Sequence, residues 1–367
     1  MSTEDLLARR LANQQLAAPR TADPADVTRQ LGAIQSQEYA QSLWALGLRT
    51  QGASAASIEA AIDRGAILRT WPMRGTIHLV PAEDAHWMVR LLAGRRIRSV
   101  TGVYDRIGLT ADVLARAADV VTSGLRGGQQ VRRKDLYALL TSHGIDCSAS
   151  PHGGRGNHIL GYLSMTGLLC IGPVERGHPV FVLLDEWAPA ARQPAGPAAE
   201  LAVRYFTSHG PATMKDFGWW SGLTLAEIRR AVELAGPALA AEDHAGEQYW
   251  SGAGLPAGAA PEGAFLLPAF DEYTVAYKDR AILLDGLALP PGDLLNPVML
   301  LDGRAVGLWK RVITAKSVQI RLAPYGRLGR GGTARFEAAA QWHADFHGLP
   351  AEVSLADPAG VRRMRWP

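Results

Sequence analysis

The stretch ILRTWPMRGTIHLV, residues 67–80, is the part of the sequence that best indicates the fold. It predicts two strands joined by a turn near Pro72 to Gly75, because β-branched and aromatic residues flank a short turn signal. Three helices are predicted before it: one capped by Ser2 or Thr3, one with Pro24 at its first position, and one over 53–64. Three helices followed by a two-stranded ribbon is the layout of a winged helix.

The same order of elements returns further along the chain. Helices are predicted over 132–143, 157–166, 198–209, 212–220 and 223–235. Strand pairs are predicted in LLCIGPVERGHPVFVLL, residues 168–184, and near 237–250. From Asn296 onward, alternating segments separated by turns predict a small antiparallel sheet or barrel, with no helix until the end.

These elements predict an α+β chain of four modules. Three are tandem winged helices, and the fourth is an antiparallel β-barrel. The predicted boundaries are 1–100, 101–192, 193–285 and 286–367. Three winged helices in one chain are more typical of a clamp around DNA than of a regulator, which usually needs one or two.

The charge of the chain is unevenly distributed. The net charge is only +3 over 367 residues, yet eight Lys or Arg and no acid lie between Gly303 and Arg335. A second segment, Arg69 to Arg106, has seven Arg against three acids. Clustered cations on a nearly neutral chain favour a polyanionic partner such as nucleic acid. The alternative is a general preference for Arg, since 33 of the 38 cations are Arg.

Several classes of protein are disfavoured by composition. Cys147 and Cys170 are the only cysteines and lack a metal-ligand spacing, so two buried thiols and no zinc or iron–sulfur site are expected. The N-terminal residues MSTEDLLARR lack the apolar core of a signal peptide, and no apolar run approaches a membrane span. A soluble cytoplasmic monomer without a cofactor is therefore expected.

Four passages together carry a resemblance to a known family. They are AIQSQEYA (33–40), LRTWPMRGTIHLV (68–80), LPAFDEYTVAYKDR (267–280) and DGRAVGLWKR (302–311). In these passages the chain resembles the bacterial tandem winged-helix DNA glycosylases of the AlkZ and YcaQ type, in family order and over essentially its whole length. The resemblance implies winged helices in a C-shaped arrangement, a C-terminal β-barrel and a DNA channel along the concave face. It also implies hydrolysis of the glycosidic bond of N7-alkylated purines, including bulky adducts and interstrand crosslinks.

The resemblance also assigns the catalytic residues. The family motif is Gln, a usually aliphatic residue, then Gln or Asp, and Gln35 and Gln37 fall on its two functional positions. Ser36 occupies the middle position, where a bulkier aliphatic residue is usual. Gln at position 37 resembles the AlkZ branch, which is associated with self-resistance to a toxin. The alternative is that both glutamines only cap the preceding helix.

A glutamine pair suits one kind of glycosidic bond. On a continuous helix, residues two apart point about 200° apart, so both can reach one site only if the backbone is extended there. An N7-alkylguanine already carries a positive charge and leaves as a neutral base, so no acid is needed. A Gln side chain can hold a water molecule and orient its dipole. Strand cleavage needs an amine nucleophile, and none of the five Lys is near Gln35 in the sequence, so no lyase activity is expected.

Other polar residues are candidates for DNA contact. They lie on the first ribbon or at the starts of two helices in the second module. They are Arg69, Trp71, Arg74, His78, Arg132, Arg133, Lys134, Arg155, Asn157 and His158. The alternative is that Trp71 belongs to the core and that the arginines are solvated. The charged residues at 271–279 are expected to form a structural network rather than a catalytic one.

Duplex DNA carrying N7-alkylpurine adducts or crosslinks is thus the predicted partner of a monofunctional glycosylase. Two alternatives remain open at this stage. One is a winged-helix transcriptional regulator that keeps the glycosylase fold. The other is a non-enzymatic protein that sequesters a DNA-reactive toxin or shields damaged DNA.

Overall fold

The computed structural model describes residues 1–17, 21–148, 154–175, 178–255, 262–290, 292–329, 331–357 and 359. The fold is mixed α+β, as predicted from the sequence. It divides into two compact units. The larger unit comprises Met1–Ile58, Ala199–Trp220 and Thr224–Pro367, and the smaller unit comprises Glu59–Ala198 and Ser221–Leu223.

The helices are α1 (Thr3–Asn13), α2 (Pro24–Leu31), α3 (Tyr39–Gly47), α4 (Ala55–Asp63), α5 (Ala85–Arg106), α6 (Ala111–Leu125), α7 (Arg133–Ser142), α8 (Arg155–Met165), α9 (Leu184–Trp187), α10 (Pro197–His209), α11 (Met214–Ser221), α12 (Leu225–Ala235), α13 (Glu272–Val275) and α14 (Gly332–Phe346). The strands are β1 (Ile34–Gln35), β2 (Ile67–Met73), β3 (Thr76–Pro81), β4 (Val131–Arg132), β5 (Leu169–Glu175), β6 (His178–Leu183), β7 (Leu239–His244), β8 (Glu247–Gly252), β9 (Ala264–Leu267), β10 (Val298–Leu301), β11 (Arg304–Ile313), β12 (Val318–Pro324) and β13 (Ala351–Leu355).

The smaller unit is built on an antiparallel sheet with the strand order β3-β2-β5-β6-β4. Both ribbons predicted from the sequence, β2 with β3 and β5 with β6, are confirmed. The two ribbons also pair with each other, since Arg69 lies opposite Ile171. Helices α6, α7 and α8 contribute buried residues such as Leu136 and Ile159 to the core of this unit. Cys170 is buried as expected, whereas Cys147 is only half-buried.

Helices α5 and α6 were not predicted from the sequence. In α5, which spans 22 residues, Gly94 and Gly102 weaken the helical signal because glycine is a poor helix former. The tertiary structure compensates by burying apolar residues such as Trp87 and Leu92 along one face. In α6, Leu114, Val121 and Leu125 are buried at helical spacing. This apolar spacing is visible in the sequence, so α6 could have been predicted.

In the larger unit, α1, α2, α10, α11 and α12 and the β7–β8 hairpin confirm the predicted elements. Helix α2 begins as the sequence indicates, because the Asp23 carboxylate accepts a hydrogen bond from the backbone N–H of Ala25. Helix α3 was not predicted. Its residues from Gln41 to Gly47 are all buried, so it has no polar face to produce a recognisable helical period.

The C-terminal segment of the larger unit corrects two predictions. Its five strands form a sheet in the order β13-β12-β11-β10-β9, and no closed barrel is found among the described residues. The predicted absence of a helix is wrong, because α14 lies between β12 and β13. Those two strands are parallel, with Val318 opposite Ala351, so the sheet is not wholly antiparallel. A parallel pair needs a crossover connection, and α14 provides it.

Within the described ranges, every helix is too short or too polar to cross a membrane.

Candidate active site

The two candidate catalytic glutamines lie in an extended segment of the larger unit. Helix α2 ends at Leu31, where Gly32 has a φ of 80°, and the next helix begins at Tyr39. Ile34 and Gln35 form the short strand β1. The backbone has therefore left the helix before either glutamine, as expected if both side chains are to reach one site. The helix ends four residues before Gln35, so neither glutamine belongs to its last turn.

Burial alternates along the motif in the way that an extended backbone predicts. Gln35 is half-buried and Gln37 is exposed, whereas Ser36 between them has no exposed surface. The Ser36 hydroxyl lies 2.8 Å from the Ser42 hydroxyl, which itself donates to the carbonyl oxygen of Tyr39. Ser36 thus ties the motif to the first turn of α3 by hydrogen bonds.

A buried carboxylate holds the backbone of the motif. Glu272, with no exposed surface, accepts the backbone N–H of Gln35 at 3.0 Å on one oxygen. Its other oxygen accepts the indole N–H of Trp220 at 2.9 Å and lies 3.5 Å from Nε2 of His209. Sequence reasoning placed Glu272 in a structural network and missed this contact. The only sign of this contact in the sequence is indirect: Gln35 and Glu272 lie in two of the four passages that carry the family resemblance.

The neighbouring carboxylate does form a structural network, as predicted. Asp271 pairs with both terminal nitrogens of the buried Arg49, each at 2.8 Å. The same guanidinium donates to the backbone and side-chain oxygens of Gln14. Gln14 in turn donates to the hydroxyl of Tyr277. Asp271 and Glu272 therefore have different roles, although they are adjacent in the sequence.

The side chains of the motif offer acceptors rather than acids. The side-chain oxygen of Gln35 is buried, and no group in the described part of the chain donates to it. A buried amide oxygen without a donor is available to a water molecule or a substrate hydroxyl. Glu38, the nearest carboxylate in the sequence, is exposed at the start of α3 and makes no capping hydrogen bond.

A basic group lies beside the first turn of α3. Arg311 on β11 donates to the carbonyl oxygen of Ala40 at 3.2 Å, and burial lowers the pKa of its guanidinium to about 10. His343 has no exposed surface, and its pKa is well below the usual range because of burial and the nearby Arg311. Burial and Arg311 also lower the pKa of His347 to about 4. At neutral pH Arg311 therefore carries the charge of this group, and both imidazoles are neutral.

The candidate DNA contacts on the first ribbon lie in the smaller unit, mostly away from solvent. Arg69 and His78 are buried. The half-buried Trp71 stacks on Phe181, with ring centroids 6.5 Å apart. Arg74 occupies the turn with a φ of 55°, and its guanidinium lies 3.5 Å from Nε2 of His78. Arg74 and His78 are thus brought together, whereas Trp71 packs on the core.

The start of α7 offers a more accessible basic surface. Arg132 pairs with Glu175 at 2.7 Å, but Arg133 and Lys134 are exposed. With Tyr137, His178 and Pro179, these three cations line a pocket of about 350 Å³. The pocket combines cations with an aromatic wall.

The candidates at the start of α8 are partly engaged with protein. Arg155 donates to the carbonyl oxygen of Asp146 at 3.1 Å, and its guanidinium lies 3.3 Å from the carboxylate of the same residue. Asn157 accepts the hydroxyl hydrogen of Tyr137, and His158 packs edge-on against Tyr104. Most of the glycine-containing entry to this helix, at 149–153, lies outside the described residues.

Helix α5 carries cations that were noted in the sequence only as part of a charge cluster. Its exposed arginines are Arg90, Arg95, Arg96, Arg98 and Arg106. Its only acid is Asp105. Exposed arginines along one helix form a surface that suits phosphate contact.

The second charge cluster, between Gly303 and Arg335, offers fewer cations for DNA contact than its composition suggests. Arg304 pairs with Asp285 at 2.7 Å, and Arg335 pairs with both oxygens of Asp302. Arg330 lies outside the described residues, which leaves Lys316, Arg321 and Arg327 as exposed cations of this run. No group of three metal-ligating side chains is found in the described ranges.

Comparison with known proteins identifies the family of this chain. A family model described as AlkZ-like DNA glycosylase matches residues 28–346. This chain belongs to the AlkZ-like DNA glycosylase family. The match includes both glutamines and Glu272, and it confirms the resemblance inferred from the four passages.

Sequence and structure comparison both find similarity to AlkZ of Streptomyces sahachiroi. The chain is 26% identical over 325 residues to a protein named interstrand DNA cross-link repair glycosylase, covering 82% of this chain and 85% of that protein. It also resembles the solved structure of Streptomyces sahachiroi DNA glycosylase AlkZ, with a TM-score of 0.76 and 21% identity, covering 96% of this chain and 100% of that one. The structural likeness supports the fold.

Proposed function

We propose that this protein is a monofunctional DNA glycosylase that hydrolyses the N-glycosidic bond of N7-alkylated guanine in duplex DNA. The observation that carries the proposal is the extended segment with Gln35 and Gln37, whose backbone is held by the buried carboxylate of Glu272. A regulator or a toxin-binding protein has no need for this arrangement.

The reaction follows from the charge of the substrate. Alkylation at N7 makes the guanine cationic, so the bond between C1′ and N9 can break without an acid. The electron pair of that bond neutralises the base, and water adds its oxygen to C1′ while its proton passes to solvent. The sugar carries positive charge in an oxocarbenium-like transition state, which nearby negative charge and oriented dipoles stabilise.

The described residues supply these interactions. The unpartnered side-chain oxygen of Gln35 accepts a hydrogen from the attacking water, and the exposed amide of Gln37 orients the same water or the sugar. Glu272 fixes the backbone of Gln35 and is the buried carboxylate nearest the motif, so its negative charge favours a developing cation. We assign Glu272 a positioning and electrostatic role, not that of a proton donor.

The smaller unit supplies the DNA contacts of this proposal. In the smaller unit, the α5 arginines and the exposed Arg133 and Lys134 contact phosphates, with Arg155, Asn157 and His158 near the start of α8. Arg74 and His78 contact DNA near the turn of the first ribbon, beside Arg69 and Trp71. Positive charge of this kind is expected to dominate affinity for the duplex.

The choice of substrate follows from the family relative. That protein is named for interstrand crosslink repair, so we propose crosslinks and bulky N7 adducts as substrates and self-resistance to a DNA-alkylating toxin as the biological role. We also propose three tandem winged helices over 1–100, 101–192 and 193–285. In support, two ribbons and the β7–β8 hairpin each follow predicted helices.

The test compares Gln35→Ala and Gln37→Ala with the wild-type protein on a duplex with a single N7-methylguanine. Each variant is expected to release the base at least about tenfold more slowly, which corresponds to about 1.4 kcal/mol of barrier. Affinity for the undamaged duplex should stay unchanged, because an amide makes no strong phosphate contact. Gln51→Ala, which removes an exposed glutamine of the same unit, is the matched control. Wild-type rates in both motif variants would remove the glutamines from the mechanism.

A further inference from the structure

A pocket of about 400 Å³ in the larger unit is not used by the proposed reaction. Residues of α1, of the start of α11, of β8 and of the segment after Tyr277 line it. Glu272 and Ser42, which contact the glutamine motif, do not belong to its lining. The lining is strongly charged: it contains Arg10, Lys215, Lys278, Asp216, Glu247 and Asp279, besides Thr213, Tyr249 and Ile282.

The acids of this pocket already have donors. Asp216 accepts the backbone N–H and the hydroxyl of Thr213, each at 2.9 Å, and its other oxygen accepts the backbone N–H of Lys278 at 2.8 Å. Glu247 accepts the ammonium of Lys215 at 2.7 Å. Asp279 accepts the backbone N–H of Ala281 at 2.8 Å. The three carboxylates are therefore engaged in holding the walls of the pocket.

One cation of the pocket, Arg10, is only partly engaged. Arg10 is 2% exposed, donates from Nε to the carbonyl oxygen of Pro211 at 2.9 Å, and lies 3.7 Å from the centre of the Tyr277 ring. Its Nη1 is buried, and no acceptor in the described part of the chain reaches it. A buried guanidinium nitrogen without an acceptor is costly, because the desolvation of the cation is not compensated.

Two further donors face the same space. The exposed Lys278 and the half-buried Tyr249 both line the pocket and can donate to a ligand. A tyrosine hydroxyl keeps its hydrogen at neutral pH and can donate it, and burial raises the pKa of Tyr249 further. The pocket thus combines engaged acids with one buried arginine nitrogen that lacks an acceptor and two further donors, Lys278 and Tyr249.

We propose that this pocket binds the oxyanion of a phosphate group, with Arg10 at its floor and Lys278 and Tyr249 around it. Arginine suits this task because its planar guanidinium can donate two parallel hydrogen bonds to a phosphate. The volume lies at the lower end of the range for small-molecule sites, about 300–1,000 Å³, so it exceeds the needs of a single anion. Tyr249 and Ile282 provide the surface on which the rest of a small phosphorylated molecule would pack.

The test titrates inorganic phosphate into the full-length protein by calorimetry, at constant ionic strength with chloride as the reference anion. Saturable binding is expected for the wild-type protein. Lys278→Ala and Arg10→Lys are expected to weaken it by at least about tenfold, since each loses a donor to a charged acceptor. Arg230→Ala removes an exposed cation of α12 in the same unit and should bind phosphate normally.

The variants are chosen so that the fold survives. The Lys278 side chain is exposed, and Lys at position 10 keeps the positive charge beside Tyr277. No saturable phosphate binding by the wild-type protein, or equal binding by Lys278→Ala, Arg10→Lys and wild type, would overturn the proposal.

A second measurement identifies the source of the phosphate. If Lys278→Ala lowers affinity for undamaged duplex in parallel with its loss of phosphate binding, the pocket takes a phosphodiester of DNA. If duplex affinity is unchanged while phosphate binding is lost, the pocket takes a free small molecule. Both outcomes support the oxyanion site, and neither depends on base release, so the result is independent of the proposed glycosylase reaction.

Discussion

The role of Glu272 can be tested by comparing two adjacent buried carboxylates. Glu272 contacts the backbone of the glutamine motif, whereas Asp271 contacts Arg49. Glu272→Gln replaces a carboxylate by a carboxamide of the same shape, with one oxygen acceptor instead of two. Either the Gln35 N–H or the Trp220 indole N–H then loses its acceptor, at a cost of about 1–3 kcal/mol.

The expected effect is on both stability and rate. We expect the free energy of unfolding to fall by about 2–4 kcal/mol, because the remaining donor also exchanges a charged acceptor for a neutral one. Base release from N7-methylguanine should slow by about 10–100-fold, equivalent to about 1.4–2.8 kcal/mol of barrier, because the motif loses both its anchor and a nearby negative charge.

The control is Asp271→Asn. This substitution breaks the buried ion pair in which each Asp271 oxygen lies 2.8 Å from a terminal nitrogen of Arg49. It should lower the free energy of unfolding by about 3–5 kcal/mol. Asparagine can still cap α13, so the position of Glu272 is kept. Both variants are assayed by single-turnover base release at a temperature where unfolding curves show them folded. Equal loss of rate in the two variants would refute a specific role for Glu272, as would a wild-type rate in Glu272→Gln.

Three other outcomes are expected. Affinity for undamaged duplex should fall steeply with NaCl, and Arg98→Ala with Arg106→Ala should reduce the log–log slope by about two; an unchanged slope would place the α5 arginines away from DNA. The enzyme should leave uracil and 1,N6-ethenoadenine in duplex DNA, because the glutamines cannot protonate a neutral leaving group, and efficient uracil release would contradict this chemistry. Burial and Arg311 lower the pKa of His347 from 6.5 to about 4. Between pH 6.5 and about 4, the imidazole is therefore protonated in the unfolded chain but neutral in the folded protein. Stability should therefore fall as pH decreases through that window, and thermal unfolding of His347→Gln should depend less on pH there.

Many of the helices and both ribbons could be predicted from the sequence, and the family motif at Gln35 and Gln37 could be recognised there, because these features depend on local patterns. The Asp23–Pro24 signal places the start of α2, and apolar runs around short turns place the ribbons. The motif at Gln35 and Gln37 needs only a few consecutive residues. Helix α3 could not be predicted in this way, because its burial on every side removes the polar face that makes a helical period visible.

The surroundings of the motif depend on tertiary structure. Glu272 lies 237 positions from Gln35 in the sequence, and only packing brings its carboxylate to the backbone N–H. Packing also determines which arginines are paired with acids. Arg304 and Arg335 are neutralised by acids outside the basic run, while Arg10 is left without an acceptor for one of its nitrogens. Local patterns determine which side chains are present, but the partners of a charge are set by residues that folding brings within a few ångströms, and no local pattern contains that information.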